Sequence, residues 1–591
     1  MDRRGFAYRR PIIEAGFMTT DRIRITILTR ALQATADEMA ANLIRSAFSA
    51  VVREARDCST ALLDPNGQVV AQADMIPMQT AALSCSFAAA AEDLDLTGIG
   101  PGNAIIMNDP YSGGQHLNDI ILFSPIFHSG RLLGWAGSTA HHLDIGGGSA
   151  GVNTRATELI QEGLIIPPLL LDVERDWYGG MFERLVFANI RTPQIGRGDI
   201  DAQFASNHIG TKRIREMADR FGVDAVLTAM AEVLDYSERR MRTAIAALPD
   251  GTWTGEAWID GDGWDDKSQP IRIVAAVTIA GSEATIDFTG TDPQVRTMFN
   301  SPIASTIAGA VTAIRSILDD IEIPANDGCN RPLRIVAPKG SILNPHPGAP
   351  VRARATASCR ALDAVHDAMG KLLPERVPAQ GSNATTGLFL SWPRPDGGVA
   401  IHMDVLGGGW GGANNYDAIH CTDHILSSCR LTPSEAIEQL SPHVRIEGFG
   451  LIPDSWGAGE FNGGLGMFRR YRILRDGVVL SLYSDRFRLP PKGREKGADG
   501  ACARLTVERH GELIELGATS TFALQAEDLV EIRLPGGGGW GDPTRRDRDA
   551  VRCDLADDVI SAAFAARHYG YAVEPTTSIH RVEGGRDARD G

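Results

Sequence analysis

Apolar positions between residues 21 and 49 recur every three or four places, at Leu28, Leu32, Ala36, Met39, Leu43 and Ala47. That spacing gathers them on one stripe of an amphipathic helix. Residues 58–64 and 68–71 flank Pro65-Asn66-Gly67, whose residue types suit a tight turn, so the stretch predicts strand, turn, strand. Residues 79–93 are alanine-rich and predict a helix, followed by short strands at 104–107, 120–127 and 132–138 with glycine-rich loops between them. The longest helical pattern runs over 202–248, with Ile209, Ile214, Met217, Val226, Met230, Val233 and Met241 as core positions. Strands return at 255–260, 271–279 and 284–288, and helices at 302–318 and 358–373. The remainder is strand-rich, with a last helix expected over 556–569. Helices and strands mix without a regular βαβ alternation or an internal repeat, which predicts an α+β fold, a large multi-layer mixed chain.

The organisation expected from these patterns is a poorly ordered extension over 1–17, an α+β region over 18–250, a second α+β region over 251–573 and a disordered tail over 574–591. The extension carries Arg3, Arg4, Arg9 and Arg10 without the apolar stretch of a secretory signal, and Met18 is an alternative start.

Composition changes this picture in one respect. The 591 residues include 64 glycines, many in the clusters 407–412, 463–466 and 536–541. These clusters predict tight turns and close strand approach around one pocket. None is a GxxxxGK[ST] phosphate loop, so nucleotide binding by this chain is not expected. Lys and Arg number 58 against 74 Asp and Glu, a net charge of −16, which argues against nucleic acid as a main partner. No apolar run approaches the ~18 residues of a membrane span. Eight dispersed cysteines without a CxxC pair suit neither a disulfide framework nor a zinc cage, and a reducing, cytoplasmic setting is expected.

One segment concentrates chemistry. It reads Asn108-Asp-Pro-Tyr-Ser-Gly-Gly-Gln-His116-Leu-Asn-Asp119, then Ala140-His141-His142-Leu-Asp144. Imidazole nitrogens and carboxylates are ligands of hard or borderline divalent metals. His116 and Asp119 lie three residues apart, close enough for one turn to aim both at one point. His141 follows the strand pair 120–127 and 132–138, whose hairpin returns the chain to the level it left. Asp57, at the start of the first strand, offers a further carboxylate. The alternative on spacing alone is that these side chains cap turns and bond backbone amides.

The runs 108–120, 140–147 and 158–171 resemble the hydantoinase B/oxoprolinase family. So do Arg191-Thr-Pro, Asp287-Phe-Thr-Gly-Thr and the three glycine clusters, in order from about residue 18 to 569. The resemblance implies an N-methylhydantoinase B-type subunit of a two-subunit, ATP-dependent enzyme acting on cyclic amides. ATP and Mg would be bound by a hydantoinase A-type partner of actin-like fold, which phosphorylates the carbonyl oxygen, the B-type chain homodimerising within the hetero-oligomer. The B-type chain would hold a divalent metal (Mn, Zn or Fe) whose activated water opens the ring. Matching positions make Asp57, His116, Asp119 and His141 its ligands and His142 and Asp144 proton-transfer or supporting residues. The same resemblance extends to acetone and acetophenone carboxylase large subunits, which keeps ketone carboxylation open as an alternative. A scaffold subunit without catalysis is a third reading.

The chain also departs from the family. Met75 to Gln79 stands where family members carry histidines, and Arg354 and Thr356 stand where they carry Asn and Glu. The basic run Arg352-Ala-Arg354 to Arg360 suggests that Arg352 and Arg354 bind an anionic group of the substrate or its phosphorylated form. The alternative is a surface arginine cluster paired with acids. His420 and His424 have i, i+4 spacing that suits a second metal on a helix face, or else a polar pocket wall. Neither Cys58 nor Cys85 is expected to be a nucleophile, and no GxSxG elbow is present.

Overall fold

The structure is a computed structural model that describes residues 22–265 and 267–572. The two segments expected to be disordered, 1–17 and 574–591, lie outside the described residues. The first sheet is antiparallel and contains β1 (Cys58–Leu63), β2 (Val69–Gln72), β3 (Asn103–Met107), β4 (Asp119–His128), β5 (Arg131–His141) and β6 (Leu169–Asp172), in the order β2-β1-β5-β4-β3-β6. One face packs on the helices Arg22–Ser46, Pro193–Phe221 and Val223–Ala246 through Leu28, Leu32, Met39, Ile214 and Met230. The other face meets the helix Pro77–Asp93, where Phe87 sets its ring edge-on to Phe123 and Trp135.

The apolar stripe expected over 21–49 forms the helix Arg22–Ser46, with a short turn of helix Ala50–Arg53 after it. The pattern over 202–248 is two helices. Gly222, at φ +90°, ends the first, because only glycine takes that backbone conformation without strain. The last helix expected over 556–569 is the shorter Ala562–Tyr569, capped by Ser561, and a separate helix, Arg548–Ala556, precedes it.

A second sheet contains β7 (Gly251–Ile259), β8 (Ile271–Ala280), β9 (Glu283–Asp287) and β10 (Leu333–Val336), with β10 parallel to β9. The helices Ile303–Arg315 and Arg354–Gly370 pack on it through Ile314, Leu362 and Val365. Two further sheets enclose a core of Leu388, Leu390, Tyr471, Leu480, Val530 and Ile532. One holds β11 (Thr386–Pro393), β12 (Val399–Leu406), β15 (Val478–Tyr483) and β18 (Thr519–Leu524). The other holds β13 (Val444–Leu451), β14 (Met467–Ile473), β16 (Arg504–Arg509), β17 (Glu512–Leu516) and β19 (Leu529–Arg533). The fold is therefore mixed α and β, in several sheets without a barrel, as the order of elements predicts. No described helix is long and apolar enough to cross a membrane.

The glycine clusters lace together between these sheets. Gly409 N donates to Pro535 O (2.9 Å), Gly412 N to Gly538 O (2.9 Å), Gly464 N to Trp410 O (2.8 Å) and Gly457 N to Gly537 O (2.7 Å). A Cβ on Gly537 would stand 1.7 Å from the Trp410 carbonyl oxygen, so the close approach requires glycine there.

Candidate metal centre

Three neighbouring strands bring the candidate ligands to one end of the first sheet. In the β4–β5 ladder Asp119 faces His141, the first residue of one strand against the last of the other. Beside them β1 pairs Cys58 with Ala140, and the His141 amide donates to Asp57 O at 3.0 Å. His116 enters from the turn before β4, where Asp119 N donates to its carbonyl (3.0 Å). The hairpin return expected from the sequence thus brings Asp119 and His141 together, with His116 beside them from the turn and Asp57 from the start of β1.

One ligand atom from each of His116, Asp119 and His141 lies within 4.8 Å of the others, and all three side chains are buried. His116 Nδ1 is 3.1 Å from Asp119 Oδ2, and His141 Nδ1 is 3.4 Å from Asp57 Oδ2 and 3.8 Å from Asp119 Oδ1. The imidazole rings stand 4.8 Å apart at 68°. His116 Nδ1 and His141 Nε2 have no aligned hydrogen-bond partner and no access to water. Buried polar nitrogens are seldom left so, which fits a cation bound by their lone pairs.

The electrostatics keep those lone pairs free. Burial, and then the Arg354 guanidinium, lower His116 to about 4. Burial and the neighbouring His116 hold His141 below its ordinary value. Both rings are therefore neutral at pH 7. Burial and the Asp119 charge push Asp57 up to about 8. Burial acts upward on Asp119 too, but His116 and Arg354 outweigh it and hold this carboxyl below the usual range.

Two departures from the family pattern sit directly on these ligands. Gln79, in the first turn of the helix Pro77–Asp93, donates through Nε2 to Asp57 Oδ1 (2.7 Å) and Asp119 Oδ1 (3.3 Å). One amide thus bridges both carboxylates. Arg354, the first residue of its helix, donates to Asp119 Oδ2 (2.7 Å) and Gln115 Oε1 (3.2 Å). The helix begins at Arg354, not at 358, and its first turn, Arg354-Ala355-Thr356-Ala357, is buried throughout. The run Arg352 to Arg360 is no surface cluster, since Arg352, Arg354 and Arg360 are all buried. Arg360 pairs with Asp363 in a separate internal network.

His142 and Asp144 point their hydrogen bonds elsewhere. His142 Nε2 meets Gln203 Oε1 at 3.0 Å. Asp144 accepts from the Arg191 amide and guanidinium and from Gly146 N (3.2 Å), tying down the loop after β5. His420 and His424 do not share a helix face, because their segment is irregular. His420 accepts from Leu465 N (3.0 Å), while His424 lies between Thr385 Oγ1 (2.6 Å) and Cys359 Sγ (3.3 Å). The segment instead lines a cavity of about 380 Å³ with Trp410, Asp423, His424 and Cys429. Arg430, which also lines the cavity, donates its amide to Ala55 O (2.9 Å), two residues before Asp57, so the cavity lies close to the ligand cluster. Burial pushes the thiol of Cys85 up to about 12 and that of Cys58 higher still, which leaves neither a nucleophile.

His116, Asp119 and His141, with Asp57 beside them, form a cluster that could hold a metal ion at one end of the antiparallel first sheet. The hydantoinase B/oxoprolinase family model matches residues 21–543, and the chain belongs to that family. An uncharacterized protein of Methanocaldococcus jannaschii is 34% identical over 93% of this chain and 96% of its own length. Caprolactamase subunit beta of Pseudomonas jessenii is 29% identical over 95% of this chain and 99% of its own. The crystal structure of ATP-dependent caprolactamase from Pseudomonas jessenii superposes with a TM-score of 0.85, at 27% identity over 96% of this chain and 99% of that one. A nucleotide-free acetone carboxylase structure shares the fold, with a TM-score of 0.81 at 19% identity over 93% of this chain and 80% of that one.

Proposed function

We propose that this chain is the metal-bearing B-type subunit of an ATP-dependent cyclic-amide hydrolase, acting with an ATP-binding A-type partner that phosphorylates the amide carbonyl. The observation that carries the reading is the buried cluster of His116, Asp119 and His141 with Asp57 beside it, in which His116 Nδ1 and His141 Nε2 have no aligned hydrogen-bond partner. A lactam carbonyl is a poor electrophile, and O-phosphorylation by a partner answers that difficulty. A divalent cation held by Asp57, His116, Asp119 and His141 supplies Lewis acidity and lowers the pKa of water from ~15.7 toward ~7. The protein's own groups do the remaining work. Gln79 keeps the two carboxylates in register, and the neutral imidazoles present lone pairs without needing to shed protons. Likeness to caprolactamase over the whole chain supports hydrolysis of a cyclic amide.

The test is His116→Ala in the chain reconstituted with its partner. Loss of bound metal by elemental analysis, with ring opening abolished and the circular dichroism spectrum kept, is the expected result. Full turnover without metal, or ATP hydrolysis that depends on bicarbonate and yields a carboxylated product, would sink the reading.

A further inference from the structure

Six arginines are buried among the described residues: Arg352, Arg354, Arg360, Arg469, Arg486 and Arg546. Five of them hold a carboxylate, respectively Asp119, Asp363, Asp404, Asp363 and Asp417 for Arg354 onward. Arg352 holds none. It is 4% exposed, and its Nε and Nη2 are sealed from water with no acceptor. Its guanidinium lies over the Phe389 ring, 5.5 Å from the centroid. The carboxylate beside it, Glu162, is spent on the main chain, accepting from Val351 N (3.0 Å) and Arg352 N (2.9 Å). Glu162 therefore fixes where Arg352 stands, and its charge acts on the guanidinium without a hydrogen bond to it. Arg352 stands two residues before Arg354, whose Nη2 reaches Asp119 Oδ2 at 2.7 Å, which places it near the candidate metal centre.

A buried guanidinium with unfilled donors is costly unless an anion satisfies it. From these observations we infer that Arg352 is an oxyanion receptor of the site, its rigid fork taking two oxygens of an anionic group on the reacting molecule. The inference rests on the hydrolase reading for what the molecule is. Two sources carry the same chemistry: the phosphate placed on the carbonyl oxygen, or a carboxylate that belongs to the cyclic amide. Arg354 is committed differently, since its Nη2 is held by Asp119 and Gln115 and, of its buried donors, only Nε lacks an acceptor.

The experiment uses the full chain with metal removed by a chelator, so that a bound cation cannot supply the anion site. Melting temperature and binding isotherms are measured with inorganic phosphate, pyrrolidone-5-carboxylate and neutral 2-pyrrolidone. At least one of the two anions should bind saturably and raise the melting temperature. Phosphate alone identifies the activating phosphate as the ligand, and the carboxylated lactam alone identifies a substrate carboxylate. Arg352→Gln should weaken that binding about tenfold or more, and Arg352→Lys should keep part of it. In the absence of anion, Arg352→Gln should melt no lower than the wild type, since it removes an uncompensated buried charge. A merely structural arginine would do the reverse. No saturable binding of either anion, or equal binding by Arg352→Gln, would overturn the inference. The metal content of the wild-type chain, measured separately, reports on the hydrolase reading alone.

Discussion

Arg354 Nη2 sits 2.7 Å from Asp119 Oδ2, so a guanidinium already shares a carboxylate that the candidate metal centre needs. The pair joins the start of β4 to the first turn of a helix that belongs to the neighbouring sheet. Two positive charges then compete for one carboxylate. Arg354→Met should therefore bind zinc or manganese about tenfold tighter, because a cation beside Asp119 no longer meets a second positive charge at short range. The same variant without metal should be less stable by about 3 kcal/mol, having left a buried carboxylate unpaired. Chelator competition and urea unfolding read the two effects separately.

Gln79 offers a second handle on the same carboxylates. Gln79→Leu removes the amide that bridges Asp57 and Asp119. The metal-free chain should lose about 1–3 kcal/mol in urea unfolding, the range for stranding buried acceptors. Added metal should restore most of the loss, since a cation neutralises the same two groups.

Glu162 makes a prediction about pH. Burial outweighs its two amide hydrogen bonds and raises its carboxyl to about 7, above its ordinary 4.5. A raised carboxyl contributes stability that is complete below pH 4.5 and is lost as pH rises through 7. The wild-type melting temperature should therefore fall between pH 5 and 8 by more than that of Glu162→Gln, which has no proton to lose. Equal slopes in the two proteins would show that the carboxyl titrates normally.

Gly537 tests the lacing of the glycine clusters. Gly537→Ala puts a methyl where the nearest atom, the Trp410 carbonyl oxygen, stands 1.7 Å away, and backbone on both sides must move. A loss of about 3 kcal/mol or more, or failure to fold, is expected. Gly98→Ala, where nothing lies within 4 Å of the new methyl, should change stability by less than about 0.5 kcal/mol.

The ligand cluster was legible in the sequence because it depends on local geometry. A hairpin whose strands alternate by twos brings its first and last residues together, and Asp119 and His141 are those residues. The breaks inside the long helical patterns were less legible. Gly222 lies within apolar spacing that continues on both sides, and periodicity alone does not register a single residue of positive φ. What lies around the ligands was hidden for a different reason. Arg354 reaches Asp119 across 235 positions, and a buried arginine looks like a solvated one until the fold is known. Gln79 looked like the loss of a histidine, whereas its amide nitrogen offers two N–H donors where a neutral imidazole has one.

The glycine lacing also bears on how this region moves. Residues 407–412 and 536–539 contain no extended ladder, and their composition is that of a flexible linker. Yet the amides of Gly409, Gly412, Gly537 and Gly538 are all bound to carbonyls of the opposing segments or of Gln380. Deuterium should enter those positions as slowly as it enters central strands, since exchange there requires several segments to part together. The most glycine-rich part of the chain is thus an inelastic tie, holding one wall of the cavity beside the metal centre at a fixed distance from the ligands.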